Sequence, residues 1–191
     1  MKLGKRQRRK LFKIGFALVL SGLIWYMNRQ VGPPPQVIGT QSPGYYKVTS
    51  FEDGDTITVD MNGKQERIRM IGVDTPETQD PRKPVQCFGK AASQFTRSLI
   101  GSQNVRLEAD ELSDNRDRYN RLLRYVYLPD SRLVQAEIIK QGYGFAYTSF
   151  PFTKSAEFKT YEQHARENNQ GLWNACEPTT NQFGGHTSNP E

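Results

Sequence analysis

Residues 67–77, Arg-Ile-Arg-Met-Ile-Gly-Val-Asp-Thr-Pro-Glu, constrain this chain more than any other stretch. Arg69, Ile71 and Val73 alternate with Ile68, Met70 and Gly72, the period of two expected of a strand with one face on a core, and Pro76 ends it. Asp74 and Glu77 then fall in the turn at the strand end, while Arg69 lies within the strand. A second pair of carboxylates comes from Asp53-Gly54-Asp55-Thr56, a turn one hairpin earlier. Three or four carboxylates beside an arginine make the side-chain set required by a hard-cation site that handles phosphate.

The neighbouring segments supply a frame for that set. Residues 45–50 and 56–60 read as strands around the Asp-Gly-Asp turn, and Asn62-Gly63 is a hairpin signal leading into the strand that ends at Val73. A helix carrying Ala91, Ala92, Phe95, Leu99 and Ile100 on one face follows, stopped by Gly101. Residues 105–109 and 121–128 read as the fourth and fifth strands, separated by a charged loop from Asp110 to Asn120. Two more helices are expected, one from about Leu133 to Gly142 and one over about 153–168. Five strands with one helix after the third and two after the fifth describe an α+β, mainly β, fold: a five-stranded oligonucleotide-binding (OB-fold) barrel capped by three helices. An α+β sheet with a different closure fits the same pattern.

Of the 26 Lys and Arg residues, eight lie in residues 1–30, which hold no acid. The rest of the chain has 18 basic against 20 acidic residues, so the formal charge of +6 does not describe the folded part. Any affinity for a polyanion must come from a local site rather than an overall basic field. The basic segment runs into an uncharged apolar stretch from Ile14 to Met27. It reads as a transmembrane signal anchor if Lys13 snorkels, and no A-x-A-like cleavage site follows it. A cleaved secretory signal and a buried hydrophobic helix are the alternatives. Positive residues stay on the cytoplasmic side, so the domain beyond the helix is expected outside the cytoplasm, at the cell surface or in the periplasm, or secreted if the segment is cleaved. The expected organisation is an anchor over 1–30, a Pro-rich linker over 31–43, a folded domain over 44–178 and a disordered tail over 179–191.

Cys87 and Cys176 are the only cysteines. In an exported chain such a pair reads as one disulfide, with two unrelated buried thiols as the alternative. Neither a CxxC motif nor a Cys/His cluster occurs, which argues against zinc. His164 and His186 are expected to be exposed and uninvolved, leaving a carboxylate as any general base.

Asp53-Gly54-Asp55-Thr56, then Arg69 to Glu77 with its Val-Asp-Thr-Pro-Glu core, then Asp117-Arg118-Tyr119-Asn120-Arg121, resemble in order and spacing the three signature blocks of the staphylococcal nuclease (thermonuclease) family. The resemblance spans about residues 44–175 and implies a sugar-nonspecific nuclease that hydrolyses DNA and RNA to 3′-phosphate products. It implies one Ca²⁺ held by Asp55, Asp74 and the carbonyl of Thr75, with Asp53 supporting the site from behind. It implies that Glu77 positions or deprotonates the attacking water and that Arg69 and Arg121 grip the scissile phosphate. Arg118, Tyr119 and Tyr147 would bind the nucleotide, with single-stranded or unpaired regions preferred and the domain monomeric. Where the family commonly has Gly before the second arginine this chain has Asn120, a residue that tolerates positive φ. Ser149 stands where a second pocket tyrosine is found in the family.

The residues also have structural readings. Arg69 could pair with Asp74 or Glu77, Arg121 with Asp114 or Asp117, and Tyr119 could pack at a barrel edge. A membrane-tethered OB-fold adaptor that binds nucleic acid with weak or no turnover is the alternative to an enzyme.

Overall fold

The computed structural model describes residues 44–78, 84–181 and 185–190. The expected anchor and linker lie outside them. Among the described residues no helix is long and apolar enough to cross a membrane.

Strands β1 (Tyr45–Phe51), β2 (Thr56–Met61) and β3 (Lys64–Met70) form the expected meander. Its second turn uses Asn62 and Gly63, both at positive φ, as a tight hairpin with right-handed strand twist requires. After β4 (Val73–Asp74) and helix α1 (Gly89–Ile100) come β5 (Asn104–Glu108) and β6 (Leu122–Tyr127). The five longer strands close into a barrel in the order β1-β2-β3-β6-β5. All pairs are antiparallel except β3 with β6, which run parallel with Ile68 opposite Leu122 and Arg69 opposite Leu123. Inward residues from every strand, including Ile57, Val59, Ile68, Met70, Val105, Leu107, Leu122 and Val126, fill the interior. Closure leaves no free edge for another chain to pair with. The expected α+β barrel is therefore the observed one.

Helices α2 (Val134–Lys140) and α3 (Ser155–Glu167) extend the core with Val134, Ile138, Ile139 and Phe158. A network at the barrel end fixes the entry to α3. The Tyr125 hydroxyl donates to Asp110 (2.7 Å), and Asp110 also accepts from the Thr153 backbone N–H (2.8 Å) and from its hydroxyl.

Three expectations need correction. The strand expected to run to Val73 stops at Met70, because Ile71-Gly72 turns there. Gly72 has φ +75°, and a Cβ on it would lie 2.6 Å from the Phe152 ring and 2.9 Å from that of Phe158. The turn detaches β4 from the barrel, and β4 pairs instead with β7 (Phe145–Ala146). After a short helix α4 (Leu172–Ala175), the segment 179–191, expected to be disordered, contains a strand pair, β8 (Thr179–Thr180) with β9 (His186–Thr187). Its polar composition misleads because a disulfide between Cys87 and Cys176 holds the segment at its root. His186 packs against the rings of Phe145 and Trp173 instead of standing in solvent, whereas His164 is exposed on α3.

Candidate active site

The Asp-Gly-Asp turn between β1 and β2 is held from two sides. Asp53 accepts from the Asp55 backbone N–H (3.1 Å), and the Thr96 hydroxyl of α1 donates to the Gly54 carbonyl (2.6 Å). Gly54 is required by close approach, since a Cβ there would lie 2.7–2.9 Å from the Thr75 side chain. That contact brings the turn onto the segment after β4. One carboxylate oxygen of Asp55 accepts from the Thr75 N–H (2.8 Å) and lies 3.2 Å from its hydroxyl, while the other accepts from Thr56 Oγ1 (3.0 Å).

Arg69, near the end of β3, joins the two acidic segments. Its guanidinium lies 2.8 Å from Asp55, donates to Asp74 at 2.9 Å and to the Val73 carbonyl at 2.7 Å, and its side chain is only 14% exposed. Burial pulls its pKa down, but Asp55, Asp74 and Asp53 together more than offset this, so the charge is held firmly. Burial and the neighbouring Asp55 carboxylate push Asp53 up to about 8 despite Arg69. Asp55 and Asp74 alone set two carboxylates against the one guanidinium. Oxygen donors in surplus suit a hard divalent cation, although among the described residues no three His, Cys, Asp or Glu side chains converge as a cage.

The second arginine reaches the same end of the barrel from the β5–β6 loop. Asn120 takes φ +63°, as the left-handed turn there requires, and its carbonyl accepts from Arg116 (2.8 Å). Asp117 accepts from the Arg121 backbone N–H (3.0 Å) and from its Nε (2.7 Å). Burial pushes Asp117 up, and the bonds from Arg121 outweigh it, so its carboxyl stays below the usual range. Arg121 Nη1 lies 3.4 Å from Thr56 Oγ1. Thr56 therefore links Arg121 to Asp55, and Asp55 to Arg69 and Asp74, in one connected set.

Tyr119 is 58% exposed, with Arg118 donating to its hydroxyl (2.8 Å) and Arg121 over its ring at 5.4 Å. It does not pack at the barrel edge. Tyr147 follows β7, and its N–H donates to the Gly72 carbonyl (2.8 Å), which puts it beside the β4 segment that carries Asp74. The carboxylate of Glu77 accepts from the Thr78 N–H (2.9 Å), and its own N–H donates to the Gln86 side chain (2.7 Å). Both arginines are thus ion-paired within the protein, Arg69 with Asp55 and Asp74, and Arg121 with Asp117. Among the described residues, neither arginine pairs with Glu77 or Asp114.

A family model described as "Staphylococcal nuclease homologue" matches residues 67–175, more than half of the chain. The chain belongs to that family. Among proteins similar to this nuclease homologue, the thermonuclease of Staphylococcus hyicus is 43% identical over 67% of this chain and 75% of its own length. The thermonuclease of Staphylococcus intermedius is 48% identical over 51% of this chain and 56% of its own. Endonuclease YncB of Bacillus subtilis is 41% identical over 68% of this chain and 61% of its own. The nuclease homologue thus spans between just over half and three quarters of these relatives. It is a hydrolase of the nuclease type, and Asp55, Arg69, Asp74 and Arg121, drawn from the three signature blocks, are joined in one connected set.

Three contributors escaped sequence reasoning. Thr56 and Gln86 act through hydrogen bonds that residue type does not announce. Phe150 is 67% exposed with its ring 5.9 Å from that of Tyr147, and the only signal was an aromatic residue in a loop without periodicity.

Proposed function

We propose that this chain is a calcium-dependent nuclease, sugar-nonspecific, that cleaves phosphodiester bonds in DNA and RNA and leaves 3′-phosphate ends. The observation that carries this reading is the connected set Arg121–Thr56–Asp55–Arg69–Asp74, closed onto the Glu77 segment through the Asp55–Thr75 bonds. A structural ion pair needs two members; this set joins two arginines and two carboxylates from four separate segments. Ca²⁺, held by the Asp55 and Asp74 carboxylates and the Thr75 carbonyl, would supply positive charge for an oxyanion developing on phosphorus. Glu77 is the group that takes the proton from the attacking water. Arg69 and Arg121 offer planar donor forks to the non-bridging oxygens, and the 5′-oxygen departs. Their ion pairs hold the forks in place before substrate arrives, so little reorganisation is left for the reaction step.

Tyr119 and Tyr147 are the stacking faces for the base, and Phe150 offers the second ring beside Tyr147 that Ser149 does not. Stacking faces read unpaired bases, so single-stranded or frayed substrate is preferred. The apolar run from Ile14 to Met27, with its basic flank, supports tethering to a membrane with a monomeric nuclease domain outside the cytoplasm.

The test is cleavage of single-stranded DNA, duplex DNA and RNA by the full chain with Ca²⁺, with Mg²⁺ and with chelator, beside Glu77→Gln and Arg121→Ala. Calcium-dependent cleavage of both sugars is expected, with kcat falling about 10²–10³-fold in each variant. Binding without cleavage would instead make the chain a nucleic-acid adaptor.

A further inference from the structure

Glu77 sits in a segment that belongs to no strand or helix, so something else must fix its backbone. Two hydrogen bonds to one residue do so. The Glu77 N–H donates to the side-chain oxygen of Gln86 (2.7 Å), and the Gln86 N–H donates back to the Glu77 carbonyl (2.9 Å). Gln86 is in turn bounded on its far side by the chain's C-terminal residues. Gln86 bridges Pro190 in antiparallel fashion, and the Cys87 N–H donates to the Asn189 carbonyl (2.8 Å). The Ser188 hydroxyl, on a residue only 3% exposed, donates to the Cys87 carbonyl (2.8 Å), and the Gln86 amide lies 3.5 Å from the Thr187 hydroxyl. Asn189 also donates to the Glu177 carbonyl (2.7 Å), next to Cys176, whose disulfide returns to Cys87.

The C-terminal segment is therefore a strap laid along residues 86–87, fastened at its root by the disulfide. Glu77 is bonded to Gln86, the first of those two residues.

We propose that Gln86 is the positioning residue for Glu77, and that the strap of residues 186–190, rooted at the Cys87–Cys176 disulfide, holds Gln86 in register. Gln86 touches no reacting atom; it fixes where the Glu77 carboxylate stands relative to the water. This rests on Glu77 being the general base. A displacement of about 1 Å in such a group is worth about 10²-fold in rate, so loosening the strap lowers turnover while leaving nucleotide binding in place. Because a disulfide roots the strap, turnover follows the redox state of the pair.

The test compares Gln86→Leu, a chain ending at Thr180 and the dithiothreitol-reduced full chain with the oxidised full chain, on single-stranded DNA with Ca²⁺. Circular dichroism confirms that each is folded before kinetics are read. The expected result is a fall in kcat of about 10- to 100-fold with KM unmoved in all three, and no further loss when Gln86→Leu is added to Glu77→Gln. Unchanged kcat in folded Gln86→Leu, or an equal further loss in the Glu77→Gln background, would overturn the proposal. Full activity in Glu77→Gln alone would remove the general-base assignment and the proposal with it, whatever Gln86 does.

Discussion

Asp55 is the residue on which the two halves of the site depend, and its position depends on a neighbour without a side chain. Gly54 lets Thr75 approach closely enough to donate its N–H to Asp55. Gly54→Ala is expected to push Thr75 away, to cost about 1–3 kcal/mol of stability as overpacking, and to lower nuclease turnover. Urea unfolding beside kinetics would show both losses. At this scale the sequence was informative about residue type and mute about partners. The Asp-Gly-Asp turn and the Val-Asp-Thr-Pro-Glu run pointed to the acids and Arg69, since such carboxylates around one guanidinium have few other uses. That Asp117 pins Arg121, or that Thr56 stands between Arg121 and Asp55, could not be read, because Asp114 and Asp117 look alike in a charged loop.

Among the elements, β3 does two tasks. The face that turns Ile68 and Met70 into the core also carries Glu66, buried nearer the start of the strand, which pairs with Lys64 and with Arg116 (2.9 Å), and Arg116 also holds the Asn120 carbonyl of the turn before Arg121. The bonds from Arg116, then from Lys64, hold Glu66 down to about 2. A carboxylate held below its ordinary value of 4.5 contributes stability that is complete above that value and lost as pH falls toward 2. Urea midpoints measured from pH 5 to pH 2.5 should therefore decline more steeply for the native chain than for Glu66→Gln. The barrel strands were legible because alternation over five to seven residues is a strong signal. The pairs β4–β7 and β8–β9 were not, since two-residue strands carry no period and exist only through their partners. The break at Gly72 was hidden by an alternation that continues across it; what stops the strand is the packing of Phe152 and Phe158 from a distant loop and helix.

For the molecule as a whole, the disulfide spans 89 residues, from the start of α1 to the end of α4. Loop-closure entropy alone gives about 4–5 kcal/mol for a loop of that length. The reduced chain is expected to unfold at correspondingly lower urea, measured against the oxidised chain at the same pH. The parallel contact of β3 with β6 has another effect. It joins residues more than fifty positions apart and sets Arg69 beside the strand that Arg121 enters. Closing so distant a pairing comes late and slowly in the search for the native state, and until it closes the two arginines of the site belong to separate pieces of chain. A partly folded molecule is thus an inert one: during folding, catalytic competence should arrive only when the barrel closes.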